Sequence, residues 1–157
     1  MPITTLTIRE ADAPDAAAIV RLIQELAADD GLESPLDHSY VEYYLSQPKC
    51  HVLLADLNGE TLGLLSYLIR PDLYHGGDTA YIAELIVSEG ARDRGVGSAL
   101  MKALFDRLES LKIAEVSVST LPDNAGAIQF YRRHGITDEA VYLEKHFSYL
   151  PRVDEHS

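Results

Sequence analysis

The chain has 157 residues, 46% hydrophobic and 24% charged, enough for one domain with a single good core and ordinary for a globular protein. Its net charge of −12 argues against a nucleic-acid partner, whose phosphates would be repelled. No apolar run approaches the ~18 residues of a membrane span, MPITTLTIRE lacks the features of a secretory signal, and the lone Cys50 cannot form an internal disulfide, so a cytoplasmic protein without a membrane partner is expected.

Thr4 to Arg9 alternates in polarity and predicts a first strand. Asp12 is placed to cap a helix, Pro14 is tolerated in its first turn, and Asp15 complements its dipole. That helix sets Ile19, Leu22, Ile23 and Leu26 on one face and stops near Gly31. Ser34-Pro35 predicts a second helix that ends before Pro48, with an aromatic surface of Tyr40, Tyr43 and Tyr44 beside Val41 and Leu45. His51 to Leu57 and Thr61 to Ile69 predict a hairpin across the tight turn Asn58-Gly59. Arg70 to Thr79 has the proline and paired glycines of a loop, and Tyr81 to Val87 reads as a buried strand.

At Val96 the apolar spacing becomes helical, through Leu100, Leu104, Leu108 and Leu111. The segment Arg92-Asp93-Arg94-Gly95-Val96-Gly97 therefore lies where a strand turns into a helix. There the first backbone N–H groups have no internal partner and the dipole favours an anion. Gly95 and Gly97 allow close approach to the backbone, and Arg92 and Arg94 bring fork-shaped donors suited to phosphate. A pyrophosphate fits this chemistry. The dinucleotide signature fits poorly, since its third glycine would fall at Leu100, and a P-loop lysine is missing.

After the long helix, Ala114 to Ser119 predicts another strand, and Thr120-Leu121-Pro122-Asp123 turns into a short helix from Asn124 to His134, closed by Gly135. Ala140 to Phe147 predicts a last strand, and 151–157 a frayed tail beyond a single domain at 1–150.

Arg-x-x-Gly-x-Gly directly after Glu84-Leu85-Ile86-Val87 resembles the acyl-coenzyme A signature of the GNAT acyltransferase superfamily. Asn124 to Gly135 (NAGAIQFYRRHG) resembles that family's second signature. The resemblance covers nearly the whole chain. It implies an α/β fold in which a central mixed, twisted sheet is flanked by about four helices. It also implies acetyl-coenzyme A as co-substrate and a homodimer.

By that match the coenzyme is held by Arg92, Asp93, Arg94, Gly95, Val96, Gly97 and Ser98, and by Asn124, Ala127 and Tyr131. The backbone of Leu85, Ile86 and Val87 would receive the pantetheine arm where the strand splays from its neighbour, with an N–H near Ile86 or Val87 polarising the thioester. Tyr131 would return a proton to the departing thiolate. Two departures stand out. A glycine is common where Asp93 stands, so that side chain is expected to point outward. The short stretch Ile136 to Glu139 leaves little room for the first strand of a C-terminal hairpin, which looks more like the small diamine and thialysine acetyltransferase branch.

Acetyl transfer to an amine needs a base, and Glu84 is the leading candidate, because a carboxylate in an otherwise apolar strand needs a reason. The alternative is a glutamate facing solvent or held in a structural ion pair. Burial would make it a better base. Cys50 fits a buried strand residue better than a nucleophile, and the six histidines lack ligand spacing, so no metal site is expected. Tyr74, His75 and Asp78 could touch the acceptor, and Arg132 and Arg133 the coenzyme phosphates; a solvated helix end explains the arginines equally well. The expected activity is transfer of acetyl directly to a primary amine of a small molecule, such as a polyamine, a lysine-like amino acid or an aminoglycoside. A protein amine as acceptor, or a module that only senses acetyl-coenzyme A, are the other readings.

Overall fold

A computed structural model describes residues 5–147. The strands are β1 (Leu6–Glu10), β2 (Cys50–Leu57), β3 (Glu60–Asp72), β4 (Gly77–Val87) and β5 (Val116–Val118). The helices are α1 (Ala16–Asp29), α2 (His38–Ser46), α3 (Val96–Ser110) and α4 (Ala125–Arg133), with single 3-10 turns at Ala13–Asp15 and Glu89–Ala91. The strands form one sheet in chain order, antiparallel from β1 to β4 and parallel between β4 and β5. The mixed sheet with helices on both faces is the architecture the sequence implied.

Strand alternation sorts the core into two layers. Leu53, Leu65, Tyr67 and Ile82 pack with Val96, Leu100, Met101 and Leu104 of α3, and Phe130 and Tyr131 of α4 join that side. Val52, Leu54, Leu64 and Ile86 face Ile19 and Leu22 of α1 and Val41 of α2. Helix α3 lies close over β3 because position 63 is glycine: a Cβ there would stand 2.9 Å from Val96 Cγ1 and 3.1 Å from Ala55 Cβ.

Three elements differ from the sequence expectation. The second helix starts at His38 rather than at Ser34-Pro35, because Asp37 supplies the cap, its Oδ1 accepting from Tyr40 N–H at 2.8 Å. Ser34 is tied instead to Gln24 of α1, whose amide donates to Ser34 O at 2.6 Å and accepts from Ser34 N–H at 2.9 Å. Residues 70–79 are not a loop: β3 and β4 stay paired out to Asp72 and Gly77, leaving only Leu73 to Gly76 as the turn. Pro71 is tolerated because β2 reaches only as far as Leu68, so that flank of β3 needs no donor there. Finally, Ala140 to Phe147 forms no strand. Its alternation suits a sheet, but β5 is only three residues long and the segment pairs with no described edge; Val141 and Leu143 stay 85% and 87% exposed. The tail at 151–157 lies outside the described residues.

Candidate active site

The site is built on an irregularity in β4. Tyr67 pairs with Ile82 and the next residue back, Ser66, pairs with Glu84, so Ala83 has no partner on β3 and forms a bulge. The extra residue inverts the strand's facing. Ile82 points into the α3 layer, whereas Glu84 and Ile86 turn to the face covered by α1 and α2. Without the bulge Ile82, Glu84 and Ile86 would share one face.

On that face Glu84, half-buried, lines a cavity of about 310 Å³ with residues of α1, α2, β2 and β3. Ser66 closes a small ring with it. The Ser66 hydroxyl accepts from Glu84 N–H at 3.0 Å and donates to the Glu84 carboxylate. The bulge thus removes one ladder partner from Glu84, and the serine replaces it while fixing the carboxylate. The Tyr44 hydroxyl is buried beside them without a partner in hydrogen-bond geometry, although Ser66 lies near. Burial pushes its pKa up, and the nearby Glu84 pushes it further, so the phenol stays protonated at neutral pH.

The far edge of β4 is open. Strand β5 pairs only at Ala80, Tyr81 and Ile82, so Ala83 to Val87 diverge from it. Ser88 N–H donates to Leu62 O at 2.8 Å, on the β3 side. Alternation then directs the N–H of Ile86 toward β3 and those of Leu85 and Val87 into the gap. Of the two thioester donors expected from the sequence, Val87 is oriented for the role and Ile86 is not.

The gap leads to the start of α3. Gly95 is its N-cap at φ +78°, a left-handed conformation that suits glycine, and no side chain caps the helix. The first-turn N–H groups are thus left without a side-chain partner, as an anion site requires. Asp93 is also left-handed, at φ +63°, and exposed, which explains both the preference for glycine there and its outward position. Gly97 has a packing reason as well. Its missing Cβ makes room for the Phe130 ring, 3.3 Å away, which packs α4 onto α3. Ser98 Oγ reaches His134 Nε2 at 3.1 Å and ties the same two helices.

The two arginines divide. Arg94 is exposed at the loop. Arg92 donates from Nε to Val87 O at 3.0 Å and pairs with Asp29 of α1 at 3.1 Å, so it orders the loop. Glu25, one turn earlier on α1, adds to this: it accepts from Ser88 Oγ at 2.7 Å and from Glu89 N–H at 2.8 Å. These donors hold its pKa below the ordinary value. Glu25 is a positioning residue that sequence reasoning missed, since nothing in its helical spacing marks it. Ser66 did leave a trace, as a hydroxyl inside an apolar strand.

On the opposite face Tyr131 is half-buried against the α3 layer, edge-on to Phe130. Burial raises its pKa, as does neighbouring Tyr81, so the phenol holds its proton at neutral pH. The Tyr81 hydroxyl meets Ser119 Oγ at 2.6 Å with Tyr142 nearby, which places these groups where β4 and β5 part. Asn124 caps α4, its Oδ1 accepting from Ala127 N–H at 3.1 Å.

The remaining candidates are engaged elsewhere. Tyr74 and His75 sit at the β3–β4 turn, where His75 lies between Asp72 (2.6 Å) and Glu115 (2.7 Å), and Asp78 is a β4 residue opposite Pro71. Arg132 pairs with Glu139, and Arg133 lies over the Phe130 ring. Burial pushes the Cys50 thiol up, the wrong direction for a nucleophile.

The structure thus frees a strand edge beside a helix start without a side-chain cap, with a carboxylate on one face of the sheet and a protonated phenol on the other. The chain belongs to the acetyltransferase (GNAT) family, whose model matches residues 18–136. It is 26% identical over 155 residues to the L-2,4-diaminobutyric acid acetyltransferase of Nocardia farcinica, covering 92% of this chain and 77% of that one. It is 28% identical over 153 residues to the aminoalkylphosphonate N-acetyltransferase of Salmonella typhimurium, with 95% and 91% covered. Among solved structures, an aminoglycoside acetyltransferase from an uncultured soil metagenomic sample shares the fold, with a TM-score of 0.79, 23% identity, and 92% and 97% of the two chains covered.

Proposed function

We propose that this enzyme transfers acetyl from acetyl-coenzyme A to the primary amine of a small molecule in one direct step within a ternary complex. The first turn of α3 and Arg94 would hold the pyrophosphate, and the pantetheine would lie along the open edge of β4. Glu84 takes a proton from the amine, directly or through water, so that a neutral nitrogen attacks the thioester carbon. The Val87 N–H receives the charge that develops on the carbonyl oxygen. The N–C bond forms, the C–S bond breaks, the Tyr131 hydroxyl protonates the leaving thiolate, and the proton that nitrogen sheds on becoming an amide returns to the Tyr131 phenolate. The observation that carries this is the bulge at Ala83, which turns Glu84 into a cavity while leaving Leu85 and Val87 open to the gap. Named relatives that act on small amines support the acceptor class, and a cavity of about 310 Å³ suits a small molecule better than a polypeptide segment.

Replacing Tyr131→Phe should lower kcat at least about 100-fold, and Glu84→Gln should lower kcat/KM similarly. Full turnover by the Tyr131→Phe enzyme would remove the acid assignment. The same reading has the enzyme in the cytoplasm as a homodimer; a sedimentation mass of one copy would remove the dimer.

A further inference from the structure

We infer that the acceptor is a primary monoamine whose remaining body is apolar and carries no anionic group. This rests on the acetyl-transfer reading above and concerns the same cavity. Among the described residues, Glu84 is the one charged residue of its lining. The apolar wall is Ile19, Ile23, Leu36, Leu45, Val52 and Leu64, and the polar groups are Ser34, Ser66, Tyr40 and Tyr44. Among the described residues, no Arg, Lys or His lines it.

Among the described residues, three arginines of the neighbouring segments are engaged elsewhere. Arg9 is forked onto Asp15 and Asp56, Arg21 donates to Thr61 O, and Arg92 holds Val87 O and Asp29. A carboxylate or phosphonate on the acceptor would enter a half-apolar space with no fork to receive it and with Glu84 repelling it. Diaminobutyric acid and aminoalkylphosphonates, named for the relatives, both carry such a group. The cavity is also near the small end of ligand pockets, which run from roughly 300 to 1,000 Å³.

Two polar groups of the lining fit the ammonium end of an apolar amine. Glu84 offers charge to an arriving ammonium, and the Tyr44 oxygen, buried and unpartnered, offers a second acceptor beside it. The rest of the amine then replaces water along the Ile and Leu wall.

The test uses the wild-type protein, with acetyl-coenzyme A binding measured by calorimetry in the same preparation. Thiol release is followed with isopentylamine, phenethylamine, putrescine, 2,4-diaminobutyrate and 2-aminoethylphosphonate. The expected result is a kcat/KM for the two monoamines at least ~100-fold above the two anionic amines, and above putrescine by roughly tenfold, since its second ammonium finds no partner in an apolar wall. Tyr44→Phe should raise KM for the monoamines while coenzyme A binding stays unchanged. If coenzyme A binds and an anionic amine or putrescine is the better substrate, the acetyl-transfer reading stands and this inference falls. If coenzyme A binds but neither monoamine is acetylated or bound at millimolar concentration, the inference also falls. Failure to bind coenzyme A at all would take down the transferase reading itself.

Discussion

Gly95 and Gly97 stand two residues apart, yet the structure needs glycine at each for a different reason. At Gly95 the backbone is left-handed, at φ +78°, with open space where a Cβ would be. At Gly97 the backbone is ordinary and the constraint is the Phe130 ring. The two substitutions to alanine should therefore separate. Gly95→Ala should cost about 1–2 kcal/mol of stability through backbone strain, seen as a lower denaturant midpoint. Gly97→Ala should cost less, because a side-chain ring can move by a few tenths of an ångström, but should disturb the Phe130–Tyr131 pair and so lower kcat. Equal stability losses with unchanged kcat would contradict this division. The sequence made the pair visible because both glycines lie at a strand-to-helix junction. It could not tell a backbone demand from a packing demand, since the ring arrives from more than thirty residues away.

At the scale of elements, α1 works as a strut for the loop before α3. Glu25 and Asp29 lie one turn apart on its surface and reach Ser88, Glu89 and Arg92. Glu25 has its folded pKa below the usual 4.5, chiefly through Ser88 and then Glu89. The folded state therefore binds that proton less tightly than the unfolded chain does. Its stabilising contribution is complete above pH 4.5 and is lost as pH falls through the folded value. Asp15 and Asp56, both lowered by Arg9, follow the same sign from their usual 3.8. Acid unfolding monitored by circular dichroism should show Glu25→Gln less stable by about 1 kcal/mol at pH 7 and level with wild type in strong acid. A gap that widens toward low pH would contradict the assignment. None of this strut was legible in the sequence, because a glutamate on a helix surface has no local signature of what lies opposite. The bulge at Ala83 was hidden for a related reason. The anomaly of Glu84 in an apolar strand was plain, but its facing depends on register with β3, and one residue of slip inverts it. The hairpin at 70–79 was misjudged because Pro71, Gly76 and Gly77 have loop composition, while pairing with a single neighbour tolerates them.

Across the whole molecule, the sheet separates two chemical jobs. Its α1–α2 face carries the carboxylate and a small cavity, its α3–α4 face carries the phenol, and the parting of β4 from β5 joins them at one edge. The net charge of −12 sets the wider field: it repels a polyanionic coenzyme and attracts an ammonium. On the proposed reading, the helix start at Gly95 and the exposed Arg94 offset the first locally, and Glu84 concentrates the second. No covalent enzyme intermediate is needed on that reading: burial pushes the Cys50 thiol up, the wrong direction for a nucleophile, and Glu84 and Tyr131 suit proton transfer rather than attack.

The most direct test is the stoichiometry of thiol release under rapid mixing with acetyl-coenzyme A, with and without isopentylamine. Direct transfer predicts no thiol burst when the amine is withheld, and one thiol for each acetylated amine when it is supplied. A burst of one thiol per enzyme without amine would mean that the acetyl group rests on the protein first, and would contradict the single-step account.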